Sequence, residues 1–381
     1  MDRMEAEDFS LFGLLGRSWE LDAAVVDVMF DKHLGAAAFA LADGSVAIAK
    51  VKDREPATGR IRISAESGSS SILPRTKPLP PIIRFTVQES KPVAITAYGK
   101  HGFLLGDASG GLVSVTEGGE RTPFAPSIDG SVTAIDHAAK TNWLAFATGG
   151  QTVFLKNKSE AENRALEHDT EITTLRFSPE GDFLAVAEQE AVTLWKIEEK
   201  AAAIATIPTP NRPLTLAWSP DQSGLAIGFE AGGACLLNIS EATASDAAIT
   251  IFPDYPTAVR SIAWSPDGTV MATSGAFRVI AWPVNDLTTD GGSPASLETG
   301  KPSLVTVESI TTHPTRPLIA AGYENGMVII TQFGRSDELV IKTEGQGAVT
   351  KIAWSQDGGY LALGSDRGHA ALVELPAQLF K

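Results

Sequence analysis

Apolar and polar residues alternate in short runs along this chain, and the runs recur with one spacing. With the serine of Ser265-Pro266-Asp267-Gly268 as an anchor, equivalent positions fall at Asp31, Tyr98, Ala138, Ser178, Ser219, Ser265, His313 and Ser355. From Tyr98 onward the intervals run from 40 to 48 residues, and only the first, 67, is longer. Three residues before each anchor stands an aliphatic residue: Val28, Ile95, Ile135, Leu175, Leu216, Ile262, Ile310 and Ile352. Seven residues after it stand Ala38, Leu105, Ala145, Ala185, Ala226, Ala272, Ala320 and Ala362. Nine after it small residues recur, among them Ala40, Ala147, Ala187, Gly228, Gly322 and Gly364. Small and large apolar side chains alternating at period two suit a strand covered on both faces.

Each unit therefore predicts strand, tight turn, strand, hairpin, strand. The first turn is specified by proline at a fixed φ followed by Asp and Gly, as in Ser265 to Gly268, and by close variants at Ser178, Ser219 and Ser355. The hairpin ends at Gly44, Gly111, Gly150, Gly233, Gly326 and Gly368. A weaker fourth strand fits most connections, for example Ala203 to Ile207 and Leu339 to Ile341. Four short antiparallel strands repeating at this period predict the blades of a β-propeller.

The pattern Val259…Ile262-Ala263-Trp264-Ser265-Pro266-Asp267-Gly268…Ala272…Trp282 resembles the core of a WD repeat. That resemblance extends from about residue 17 to residue 375. It departs from the family in two respects: the Gly-His pair survives only as Glu167-His168, and no unit ends in Trp-Asp. The hydrogen-bonded His, Ser/Thr, Asp and Trp set that the resemblance implies is therefore expected to be complete in no blade. The resemblance implies an all-β fold, a single closed propeller of four-stranded antiparallel blades. Eight units predict eight blades, with a seven-bladed ring and a displaced first unit as the alternative. The last unit leaves too little chain for a fourth strand, so Arg17 to Leu21 are expected to complete it and close the ring. The division expected is an N-terminal extension over 1–16 and a propeller over 17–381.

Two insertions interrupt the period. The first, at about 52–90, is rich in Ser and Pro, and from Lys50 to Lys91 it carries nine basic residues against four acidic ones. It reads as a solvated loop with Ile61 and Ile63 in a fourth strand, or as a docking arm for an acidic or proline-recognising partner. The second, Asn285 to Gly300, reads as a surface loop.

Composition narrows the function classes. Lys and Arg number 31 against 46 Asp and Glu, a net charge of −15, which repels phosphate backbones and argues against nucleic acid. Cys235 is the single cysteine, which excludes an internal disulfide and a multi-cysteine metal site. Apolar runs fall short of the roughly 20 residues of a membrane span, and the acidic N-terminus is unlike a secretory signal. A cytoplasmic protein that binds neither membrane nor nucleic acid is expected. The sequence holds no P-loop, dinucleotide fingerprint, nucleophile elbow or His-Glu-x-x-His, and none of its six histidines lies within four residues of another. No catalytic residue, metal or cofactor is expected.

The aromatic residues give the candidate surface. Phe229 and Tyr323 lie ten residues after their anchors, Phe277 twelve after its own, and Tyr255 precedes the sixth unit. With Arg212 and Arg278 they are expected to form a partner-binding rim, because Tyr and Arg are favoured at interface hot spots. The expected function is a non-enzymatic platform that holds protein partners on its loop faces. The alternatives are an enzyme or metal-binding propeller with a site at the central channel, and a structural subunit of a larger complex.

Overall fold

In a computed structural model the chain forms eight four-stranded antiparallel sheets. The structure describes residues 10–64, 66, 70–89, 91–125, 127–157, 163–198, 201–239, 249–253, 255–284 and 295–380. Most of the expected N-terminal extension, the serine run at 67–69 and the greater part of the 285–300 loop lie outside these residues.

The first strands of blades 1 to 8 are Val25–Phe30, Ala94–Ala97, Val132–Ala138, Thr174–Phe177, Pro213–Trp218, Ile262–Trp264, Val307–Thr312 and Val349–Trp354. They form the inner ring, where neighbouring first strands touch. Blades 1 to 7 each run outward in chain order, so the seven-bladed alternative does not hold. Blade 8 is completed from the other end of the chain. Gly16–Glu20 pairs with His369–Glu374 over five residue pairs, from Gly16 with Val373 to Glu20 with His369. Closure in this way covers an edge that would otherwise be open to another strand.

The repeated turn is held as its residue types require. Ser265 Oγ donates to Asp267 Oδ1 at 2.6 Å and accepts the Val270 N–H at 3.0 Å, while Gly268 takes φ +73°. Ser219 with Asp221 and Ser355 with Asp357 repeat the same hydroxyl–carboxylate bond. Trp218 and Trp264, just before their anchors, donate from Nε1 to Arg176 O and Ala217 O of the preceding blade, both at 3.1 Å. They tie blade to blade.

The first strands carry a register irregularity at a shared place, after Val25, Val132, Pro213, Val307 and Val349. A bulge there turns the strand as it enters the ring. The residue before it packs onto the neighbouring blade: Val25 and Val349 meet Gly364 and Gly322 of blades 8 and 7.

The basic insertion departs from the expected placement of Ile61 and Ile63 in the fourth strand of blade 1. The fourth strand of blade 1 is Ile83–Thr86, whereas Ile61–Ile63 pairs with Ser70–Ile72 in a separate hairpin. A short helix, Ala57–Arg60, precedes that hairpin and is capped from blade 8, where the Glu374 carboxylate accepts the Ala57 and Thr58 N–H groups. Ala57 and Ile72 pack in one core cluster with Leu15, Val373 and Leu375. The arginines are engaged within the fold: Arg60 donates to Leu14 O and Leu73 O, Arg75 pairs with Asp53, and Arg84 donates to Leu21 O and Asp43. The insertion thus lies over the closing strand and holds it.

Candidate functional site

The six candidate rim residues separate into buried and exposed sets. Phe229 is the last residue of the second strand Gly224–Phe229, and Tyr323 ends the equivalent strand Leu318–Tyr323. Both strands run to the tenth position after the anchor, so these side chains still face the blade interior and are fully buried. They are core residues, and they present nothing to a partner.

Tyr255 is engaged within blade 6. Its hydroxyl lies 2.5 Å from Thr273 Oγ1 and accepts the Trp282 Nε1–H at 2.9 Å. Burial pushes its phenol up to about 12. Ten residues before its anchor, Tyr255 is in register with His168 of blade 4. There His168 Nδ1 donates to Glu188 Oε1 at 3.0 Å, Thr193 donates to the same oxygen at 2.9 Å, and the Trp195 ring packs on the imidazole. Although burial opposes it, hydrogen bonds from His168 and Thr193 hold the Glu188 carboxyl below its usual range. Blade 4 therefore assembles a His, Thr, acid and Trp network with glutamate as the acid. Blade 6 builds its own from Tyr, Thr and Trp.

Phe277 remains at the surface. It lies twelve residues after its anchor, beyond the strand Val270–Thr273, and is 48% exposed. The connection from blade 6 to blade 7 runs beside it: Ser303 N–H donates to Phe277 O at 2.7 Å, and the next residue, Leu304, is 98% exposed. Arg278 lies within 4.0 Å of Glu298, and Arg212, in the connection into blade 5, within 3.8 Å of Glu230. The surface that survives is Phe277 with Leu304, flanked by Arg278. Leu304 had no sequence signal, because a lone leucine between Ser303 and Val305 fits a strand start equally well.

The central cavity is walled by first strands. On one side Val26, Asp27, Ile95, Ile135 and Arg176 line it, and on the other Leu214, Arg260, Glu308 and Lys351. Two of its lining arginines are paired: Arg176 with Asp136 at 3.5 Å, and Arg260 with Glu308 at 3.7 Å. No histidine is among the lining residues. Among the described residues, one group of three or more potential metal ligands comes together, Asp31 with His101 and Glu117, and it lies in turns of blades 1 and 2. Cys235 is buried in blade 5, and burial pushes its thiol up to about 12, as befits a packing residue.

A family model described as WD domain, G-beta repeat (WD40) matches residues 248–282 and 338–369. Each matched segment takes in the outer strand of one blade and the inner strands of the next, blades 5 and 6 in one case and 7 and 8 in the other. The chain is an eight-bladed β-propeller with WD40 repeat matches in these two segments. Among solved structures, the computationally designed Ika8 protein is 13% identical with a TM-score of 0.66, over 93% of this chain and 98% of that one. A chain in the crystal structure of the mitotic checkpoint complex is 15% identical with a TM-score of 0.57, over 98% of each chain. At such identities these likenesses speak to the fold. No curated protein matches the chain.

Proposed function

We propose that this WD-repeat propeller is a non-enzymatic cytoplasmic platform that binds protein partners through its loop faces. WD40 propellers are generally protein-binding, and the observation that carries the reading here is the adjacent exposure of Phe277 and Leu304 at the junction of blades 6 and 7. Two exposed large apolar side chains, on segments joined by the Ser303 N–H to Phe277 O hydrogen bond and with Arg278 next to Phe277 in the chain, make the kind of anchor that protein interfaces use. The net charge of −15 disfavours nucleic acid, and no helix among the described residues is long and apolar enough to cross a membrane.

A second reading, a structural subunit of a larger assembly, draws on Ile249 and Ile251, which project from the outer strand of blade 5 at 38% and 58% exposure. Affinity purification from the native cell with quantitative mass spectrometry separates the two. Phe277→Ala with Leu304→Ala is expected to remove the main partner, while Ile249→Lys with Ile251→Lys leaves it. Loss in the second variant alone would favour the structural subunit, and retention in both would overturn the loop-face platform.

A further inference from the structure

Asp31, His101 and Glu117 converge where blade 1 meets blade 2. Asp31 opens the turn between Val25–Phe30 and Ala36–Leu41, His101 lies in the turn before Gly102–Gly106, and Glu117 directly follows Leu112–Thr116. His101 Nδ1 is 4.0 Å from Asp31 Oδ2 and 3.9 Å from a Glu117 carboxylate oxygen, and the three donor atoms lie within 4.8 Å of one another. These separations exceed those of charge-assisted hydrogen bonds, about 2.7–2.9 Å. The three groups face one another without bonding.

One feature points to a cation held between them, and a second leaves room for the Glu117 side chain. The Asp31 side chain is wholly buried; its Oδ1 accepts the Gly35 and Ala36 N–H groups at 2.7 and 3.3 Å. Its Oδ2, the atom aimed at His101 and Glu117, has no hydrogen-bond partner. A buried carboxylate oxygen left in that state is costly unless a positive charge meets it. Gly35 is the second feature. Its φ is not in the left-handed region, so the backbone does not demand glycine, yet an added Cβ would collide with the Glu117 carboxylate and stand 3.2 Å from Asp31 Oδ2. Glycine here makes room for Glu117 to reach across the seam. His33 packs its ring on His101 with centroids 4.9 Å apart, which restrains the imidazole.

We infer that Asp31, His101 and Glu117 bind one divalent first-row transition ion, clamping blade 1 to blade 2. Two carboxylates balance a double positive charge, and an imidazole nitrogen beside them selects such ions over magnesium or calcium. Zinc–nitrogen and zinc–oxygen distances of about 2.0–2.2 Å require the donors to draw in slightly. The partly exposed His101 and Glu117 side chains, at 57% and 43%, have room to do so. Three protein ligands leave a position for water or for a partner's side chain.

The test is isothermal titration of the chelator-treated full chain with zinc, and separately with calcium, for the native sequence and for His101→Ala, Glu117→Gln and Gly35→Ala. One zinc per chain is expected, with affinity at least tenfold weaker in each variant and calcium binding weaker than zinc. Because His101 and Glu117 are exposed, those two variants should melt like the native chain without zinc, and zinc should raise the melting temperature of the native chain alone. No zinc binding, or equal binding in all variants, would overturn the site. Calcium bound as tightly as zinc would overturn the choice of ion.

Discussion

Gly364 of blade 8 and Val25 of blade 1 approach so closely that a Cβ added to the glycine would stand 2.5 Å from Val25 Cβ. The same relation recurs between Gly322 and Val349 at 2.6 Å and between Gly106 and Val132 at 2.5 Å. In each pair the small residue lies on the second strand of one blade, and the valine lies six residues before the anchor of the next. The seam between blades is a row of small residues facing a row of branched ones. At Gly364 φ is not in the left-handed region, so its requirement for glycine is steric.

Gly364→Ala and Gly322→Ala are therefore each expected to destabilise the propeller by roughly 1–3 kcal/mol, the usual cost of overpacking. Chemical denaturation followed by tryptophan fluorescence reads this directly. Pairing Gly364→Ala with Val25→Ala should recover part of the loss, because the second change restores space at the same contact. Additive losses in the double variant would show that the two positions do not share a contact.

The aromatic residues divide by burial, and so should their effects. Phe229→Ala is expected to cost about 3–5 kcal/mol, as for truncation of any fully buried ring. Tyr323→Ala should fall in the same range. Phe277→Ala should change stability by no more than about 0.5 kcal/mol, as expected of a surface site. Equal losses at Phe277 and Phe229 would place Phe277 in the core.

Much of the fold was legible in the sequence, and the reason is the repeat itself. Eight copies of one strand pattern averaged out local ambiguity, so anchors, turns and the closing strand could be aligned by position. What crosses between blades was less visible. The small residue nine after most anchors stood out, but its partner lies in the next unit, and the pairing needs the ring. Phe229 and Tyr323 were misread for a related reason: their strands extend one residue further than the turn signal suggests, which leaves them on the inward side. Tyr255 could have been recognised, since it occupies the register of His168. Asp31 and His101 also stand where other units have Ser and Gly, and that departure was the available signal for the cluster they form.

Acid should loosen the ring through two histidines held neutral. Burial pushes the His369 imidazole below its ordinary range, although its bond to Glu20 at 2.9 Å opposes this. Burial and then Arg316 push His313 down, against Asp357, and its Nδ1 accepts the Thr315 and Arg316 N–H groups, which requires the unprotonated ring. Both native values lie below the unfolded value of about 6.5, so the unfolded chain binds protons first. Their stabilisation is complete above about pH 6.5 and falls as the pH drops through the native values. The denaturation midpoint should be level between pH 7 and 8 and lower at pH 5.5. His313→Gln with His369→Gln should flatten that slope; an unchanged slope would assign it to other groups.

Ring closure depends on Arg17, and its replacement separates charge from packing. The guanidinium lies on the closing strand, is nearly fully buried, and donates to Lys50 O at 3.0 Å and Val51 O at 2.6 Å. It also stands 3.6 Å from the buried Asp53 carboxylate, which Arg75 holds from the other side. Burial lowers the Arg17 pKa and Asp53 raises it, so each charge is tolerated because of the other. Arg17→Ala leaves Asp53 short of a counter-charge and two carbonyls without donors, and is expected to cost about 3–5 kcal/mol. Arg17→Met with Asp53→Asn keeps most of the volume and removes both charges, so it should lie nearer the native stability than Arg17→Ala does. Deleting residues 1–21 should lower the melting temperature further than either, since it also strips the five residue pairs that join Gly16–Glu20 to blade 8. A deletion that melts like the full chain would mean that blade 8 does not need its fourth strand, and the closure would then contribute nothing to holding the ring shut.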